Sequence, residues 1–199
     1  MTTRLGQTVA GVSAVLLLAA AGNAAAEFDY NYAELRYIDT DLDAGPVDAS
    51  GDGFEIGGSL ELTPAVHVFG NFQRLDFGRG VDVSAFEVGG GYAMPLASGA
   101  DLVARLSYID GEIDAGPVDF DDSGFGFSAG FRHMFHPQFE GRAFIKYVDL
   151  DESGDETSIE LAGDYFVSRE LALGASLELG SDVTTWTLGA RWYFGARGR

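Results

Sequence analysis

The sequence predicts an all-β fold, an antiparallel up-and-down transmembrane β-barrel of ten strands, with eight strands and longer loops as the alternative. Three observations lead there. In the run Trp186-Thr187-Leu188-Gly189-Ala190-Arg191-Trp192-Tyr193-Phe194, a period of two places Trp186, Leu188, Ala190, Trp192 and Phe194 on one face and Thr187, Gly189 and Arg191 on the other. An apolar face with aromatic ends, backed by a polar one, suits a strand with lipid on one side and a polar lumen on the other. Similar alternating segments recur along the chain, each close to the 9–11 residues a tilted strand needs to cross a membrane. The connections between them alternate in character, short and charge-poor at one end, mostly longer and rich in Gly and Asp at the other.

Taken in order, residues 1–26 read as a secretory signal peptide. Arg4 supplies the positive start, Val9 to Ala21 an apolar core too short for a spanning helix, and Ala24-Ala25-Ala26 the small-residue cleavage site. The barrel domain then covers 27–194, and 195–199 form a short basic tail. The ten segments fall near 29–39, 53–62, 66–75, 83–94, 101–110, 124–135, 139–148, 157–166, 171–180 and 184–194. Thr63-Pro64-Ala65, the stretch 95–100, His136-Pro137-Gln138 and 167–170 read as periplasmic turns. The segments 40–52, 76–82, 110–123 and 149–156, with the tight Ser181-Asp182, read as external loops. No cysteine is present, which excludes a disulfide scaffold.

The alternation assigns the faces. Phe54, Ile56, Gly58, Leu60 and Leu62, then Leu102, Ala104, Leu106 and Tyr108, then Phe125, Phe127, Ala129 and Phe131 point to lipid. A soluble barrel would show the inverse. Inward fall Glu34, Arg36, Glu55, Glu61, Glu87, Arg105, Arg132, Arg142, Lys146, Glu160, Asp164, Glu178 and Arg191, a luminal charge network near balance. Opposed residues of an antiparallel pair share one index sum. A hairpin turning near Ser153, with a sum of 306, would set Arg142 against Asp164, Lys146 against Glu160, Ala143 against Gly163 and Ile145 against Leu161.

The chain carries 31 acidic and 12 basic side chains, a net charge of −19. The surplus sits at the expected external end, in a rim that includes Asp43, Asp48, Asp114, Asp119, Asp121, Asp122 and Asp151, with Arg79 its only base. Such acidity excludes general nucleic-acid binding, which needs a basic footprint. There is also an internal repeat: Tyr37-Ile38-Asp39, Asp43-Ala44-Gly45-Pro46-Val47-Asp48 and Gly53-Phe54 recur 71 residues later as Tyr108-Ile109-Asp110, Asp114-Ala115-Gly116-Pro117-Val118-Asp119 and Gly124-Phe125. Duplication of a four-strand unit accounts for it, with convergence on a good turn sequence as the alternative.

On these features the chain resembles the small outer-membrane barrels of the OmpA/OmpX-like and porin-like superfamily, and most of all the small Ax-type barrels. Tyr30-Asn31-Tyr32, His67-Val68-Phe69-Gly70, Asp101-Leu102-Val103-Ala104-Arg105 and His136-Pro137-Gln138-Phe139-Glu140-Gly141 carry the resemblance. It implies the fold and an outer-membrane location and offers no catalytic or ligand residues to carry over. It also implies a C-terminal assembly signal at Trp192 and Phe194, although such barrels usually finish on the aromatic residue itself and this chain continues to Arg199.

Other chemistry is weaker. Asp149-Leu150-Asp151-Glu152-Ser153-Gly154 with Glu160 at the twelfth position has calcium-loop spacing, but the flanking helices are missing. Asp39, Asp41 and Asp43, and Asp110, Glu112 and Asp114, suit weak association of divalent cations with the acidic loops. No other cofactor is expected. His67, His133 and His136 all lie near the short turns, away from the acidic rim and from any serine nucleophile, so no enzyme is expected. Val88-Gly89-Gly90-Gly91-Tyr92 leads into no helix and is not a phosphate loop. The expected function is a non-enzymatic outer-membrane protein whose acidic external loops serve envelope integrity or surface interaction. The alternative is a narrow cation-preferring channel. The expected partners are outer-membrane lipid, the barrel assembly machinery and a surface ligand that the sequence does not identify.

Overall fold

A computed structural model describes residues 28–44, 47–97, 99–117 and 119–195. The expected signal peptide and residues 196–199 of the tail lie outside them. The described chain forms ten strands: β1 (Tyr32–Ala44), β2 (Val47–Thr63), β3 (Val66–Asp76), β4 (Asp82–Ala97), β5 (Ala100–Asp114), β6 (Asp119–His136), β7 (Phe139–Leu150), β8 (Gly154–Phe166), β9 (Leu171–Leu179) and β10 (Val183–Tyr193). Each pairs antiparallel with its sequence neighbours, and β1 pairs with β10, so the sheet closes into an up-and-down barrel with no free edge. Among the described residues no helix is long and apolar enough to cross a membrane; the strands do the crossing.

The outer wall is apolar between two aromatic levels. Toward the long hairpins stand Tyr37, Phe54, Tyr108, Phe125 and Trp186, with Tyr37 and Trp186 at 5.9 Å between ring centres, as are Tyr108 and Phe125. Toward the termini stand Tyr92, Phe135, Phe139, Tyr165, Trp192 and Phe194. Phe125 and Phe135 on β6 are separated by ten residue steps, ~33 Å along the strand and ~25 Å along the axis at the usual tilt, which matches the apolar height of a membrane barrel. Leu106, Ile145 and Leu161, between these levels, are half or more exposed, as lipid-facing side chains must be outside a bilayer.

Several expectations are corrected. The stretches 40–52 and 110–123 are largely strand: β1 and β2 stay paired from Tyr32–Ser59 up to Ala44–Val47, and β5 and β6 up to Asp114–Asp119. A strand that has left the membrane meets water on both faces, so it loses the apolar alternation that marks a strand in sequence while its backbone ladder continues. At the other end, residues 28–31 precede β1 instead of starting it, and Phe28 and Tyr30 are buried inside the barrel.

The β7–β8 register also differs from expectation. Arg142 opposes Ala162, Lys146 opposes Ser158 and Ile145 opposes Ile159, an index sum of 304. The turn sits at 151–153, one residue earlier than Ser153 as its centre, where Gly154 takes a φ of 85° that favours glycine. A change of two in the sum leaves every side chain on its expected face. Two glycines related by the internal repeat mark close strand contacts: a Cβ on Gly53 would meet the Arg74 carbonyl, and one on Gly124 the Asp149 carbonyl.

Candidate functional site

The expected charged residues lie in the lumen and the rim above it, at three levels, while Trp192 and Phe194 stand exposed on the outer wall near the termini. At the terminal level the lumen is filled. Arg132 and Glu140 are 1% and 0% exposed and form a two-pronged ion pair, Nε to Oε1 at 2.8 Å and Nη2 to Oε2 at 3.0 Å. The Arg132 guanidinium also lies 4.7 Å from the ring centres of both Phe28 and Tyr30. The Tyr30 hydroxyl donates to Asp101 at 3.0 Å, and its ring stacks on His67 at 4.4 Å. Val103 and Phe144 complete this packing.

Above it, ion pairs continue in an alternating chain. Glu140 also approaches Arg142 (3.8 Å), Arg142 pairs with Asp164 (2.9 Å), Asp164 with Arg191 (3.8 Å), Arg191 with Glu34 (2.7 Å), Glu34 with Arg36 (2.7 Å) and Arg36 with Glu55 (3.3 Å). Four acids and four bases thus neutralise one another without a break from Arg132 to Glu55. A second group joins Lys146 to Glu178 at 2.7 Å and to Glu160 at 3.7 Å, with the Ser158 hydroxyl donating to Glu178 at 2.6 Å.

The structure places these charged side chains on the inward faces of their strands, with directly opposed partners other than those expected. The pairs Arg142–Asp164 and Lys146–Glu160 form diagonally, not directly across. What stands directly opposed is like charge: Arg132 against Arg142 on β6 and β7, and Glu160 against Glu178 on β8 and β9. Like charges directly opposite are unfavourable. Glu140 answers the first pair and Lys146 the second, each reaching both members. Glu140 and Asp101 were missing from the expected network, although both carry the inward parity of their strands, Glu140 with Arg142 and Asp101 with Arg105. Their position beside turns hid them.

Arg105 and Glu87 stand apart from both groups. Among the described residues Arg105 has no carboxylate within salt-bridge distance, and its guanidinium lies 5.3 and 5.1 Å from the centres of the Phe69 and Phe144 rings. Glu87 accepts a hydrogen bond from the Asn71 side-chain amide at 2.9 Å. Around and above these residues lies a cavity of about 530 Å³ that reaches the hairpin end. Between Glu34, Arg142, Asp164 and Arg191 the free space falls to about 10 Å³.

The third level is the rim. Asp39, Asp52, Asp76, Asp82, Asp114 and Asp119 lie on six consecutive strands, each directly opposed to the next, on the outward face beyond the aromatic level. Asp43 opposes Asp48, and Asp121 opposes Glu112. Arg74 adds a second base, 3.5 Å from Asp82, beside Arg79. Asp122 joins two hairpins by accepting the backbone N–H groups of Glu152 (3.1 Å) and Ser153 (2.8 Å), and the Asp151 N–H donates to the Ser123 carbonyl. Hydrogen bonding, first from the Ser153 hydroxyl and then from those amides, holds the Asp122 carboxyl below the ordinary aspartate range.

The calcium-loop spacing does not become a site, because Glu160 points into the lumen toward Lys146 and away from the 151–153 turn. Among the described residues no group of three or more His, Asp or Glu side chains is arranged to hold a metal ion. His133 packs edge-on against Phe135 at 4.6 Å, and the His136 ring accepts the Gln138 N–H. His67 is the exception to turn packing, since it is 1% exposed within the lumen and neither ring nitrogen has a hydrogen-bond partner among the described residues.

The family model described as "Outer membrane protein beta-barrel domain" matches residues 10–194. Among solved structures, the chain is similar to the KdgM porin, with 10% identity over 81% of this chain and 99% of that one and a TM-score of 0.47. It is also similar to Ail, the attachment invasion locus protein of Yersinia pestis, in its complex with the heparin analogue sucrose octasulfate (18% identity, 82% and 97% coverage, TM-score 0.45). A third is Neisserial surface protein A, NspA (14% identity, 82% and 96% coverage, TM-score 0.40). No curated protein matches this chain.

Proposed function

From the premise that the chain belongs to the outer-membrane β-barrel family, and is therefore an outer-membrane protein, we propose that it is a non-enzymatic, sealed barrel. Its acidic hairpins face the exterior and serve envelope integrity or surface interaction. The observation that carries this reading is the filled terminal half of the lumen, where Tyr30, His67, Asp101, Arg132 and Glu140 are each about 1% exposed or less. Arg132 and Glu140 are paired there and Asp101 accepts from Tyr30, so ions passing through would have to break a buried ion pair and displace the segment around Phe28 and Tyr30. The rim supports the surface role. Directly opposed carboxylates are unfavourable, yet they run across six neighbouring strands here.

In this reading residues 1–26 are removed on export, the short turns face the periplasm, and Trp192 and Phe194, exposed side by side at 5.7 Å, carry the assembly signal. The refolded protein in a planar bilayer should show no steady conductance. A cysteine placed within 114–119 should be labelled on intact cells, and one at Thr63 or Gln138 should not. Stable K⁺-preferring steps that lose selectivity as salt screens the rim would favour the narrow channel instead.

A further inference from the structure

The outer half of the lumen is lined in a way that neither a water-filled channel nor a packed plug requires. Barrel interiors of membrane proteins are polar, yet here Ile38, Leu42, Leu75, Ile109, Ile113 and Val183 all face inward around the 530 Å³ cavity. Ile38 and Leu75 are buried and present little surface to the cavity, whereas Leu42, Ile109 and Val183 are half-buried and Ile113 at the mouth is 38% exposed. These side chains line open space of a volume usual for small-molecule pockets, ~300–1,000 Å³. The internal repeat contributes to the lining twice: Ile38 and Leu42 of β1 recur 71 residues later as Ile109 and Ile113 of β5, four strands round the barrel.

The polar groups at the base of this apolar collar choose the sign of the guest. Of the five carboxylates that line the cavity, four are engaged by Arg36, Lys146 or Arg191. Among the described residues Glu87 alone of these has no base within salt-bridge distance; the Asn71 amide donates to it at 2.9 Å, and Ile109 of the collar stands directly opposite. Arg105, the one lining base without a carboxylate partner among the described residues, has its guanidinium near two aromatic rings, those of Phe69 and Phe144. The row of aspartates around the mouth adds a field that concentrates cations.

We propose that the outer half of the lumen is a binding vestibule for a small cationic amphiphile, an alkyl or aryl group bearing an amine or quaternary ammonium. The apolar body occupies the Ile and Leu collar and the cationic head lies against Glu87. The proposal rests on the sealed, hairpin-outward reading only for the closed floor and the side of entry.

Calorimetric titration of the full chain refolded in lipid nanodiscs tests it, with empty nanodiscs as the partitioning control. Octyltrimethylammonium should bind saturably, tetramethylammonium roughly tenfold or more weakly for want of an apolar body, and octanoate more weakly than the ammonium. Glu87→Gln should lower octyltrimethylammonium affinity by about tenfold, as expected for loss of a charged partner. Ile113→Ser, at the exposed mouth, should lower it too, with folding of both variants checked by heat-modifiable gel mobility. Absence of saturable binding, octanoate bound as tightly as the ammonium, or folded variants with unchanged affinity would overturn the proposal. Conductance together with retained binding would overturn the sealed-barrel reading and leave the vestibule standing.

Discussion

Glu140→Gln should unfasten the terminal half of the lumen. Glu140 is the acceptor shared by Arg132 at 2.8 and 3.0 Å and by Arg142 at 3.8 Å, and it separates two arginines that stand directly opposed on β6 and β7. The amide keeps the shape of the side chain but removes its charge, so the alternating chain changes from four acids and four bases to three and four. Breaking a buried ion pair on one side costs about 3–5 kcal/mol, because the remaining charge is left desolvated. Phe28 and Tyr30 keep their ring contacts with Arg132, each worth about 0.5–2 kcal/mol, so the lower end of that range, about 3 kcal/mol, is expected. That is roughly a hundredfold in the unfolding equilibrium at 1.4 kcal/mol per decade. Urea unfolding of the barrel in lipid vesicles, followed by fluorescence of the outward-facing Trp186 and Trp192, measures it. Arg132→Met with Glu140→Leu should cost less than Glu140→Gln alone, since no buried charge then lacks a partner. A Glu140→Gln barrel within about 0.5 kcal/mol of the parent would refute the reasoning, as would a double variant whose loss equals the sum of the single ones.

Lys146→Ala and Glu178→Ala should couple more strongly in a double-mutant cycle of unfolding free energies than Lys146→Ala and Glu160→Ala, because the contacts are 2.7 and 3.7 Å; equal or reversed coupling would contradict the geometry. Cysteines at Ile145 and Ile159 should cross-link, whereas Ile145 with Leu161 should do so poorly, since only the first pair is directly opposed. The reverse yield would restore the register sum of 306. The Asp122 carboxyl lies below its unfolded value, so the link from Asp122 to the 151–153 turn is complete above the ordinary aspartate pKa of about 3.9 and is lost as pH falls through the lower folded value. The amide proton shifts of Glu152 and Ser153 should therefore titrate with a midpoint below about 3.9, and that titration should vanish in Asp122→Asn; a midpoint at or above it would remove the proposed cause.

The sequence by itself determined which face each strand residue occupies, because the side-chain period of two assigns a face without reference to any partner strand. Thus Arg142, Lys146, Glu160 and Asp164 are all luminal as their parity requires, and a register two away from the expected sum moved none of them. Strand number followed from the same signal, since each membrane crossing repeats it. It faded where β1, β2, β5 and β6 leave the membrane, because water on both faces asks for no alternation, and the acidic hairpins read as loops. Only the tertiary structure decided who pairs with whom. Turn position set Lys146 against Ser158, closure of β1 on β10 brought Arg191 to Glu34, and Lys146 reaches Glu178 past an intervening strand. The apolar collar was equally hidden: Ile38, Leu75 and Ile109 have plain inward parity, but only closure of the sheet makes such residues from separate strands surround one space. Face is a local property of the backbone, whereas partnership depends on register and barrel closure, which no single segment encodes.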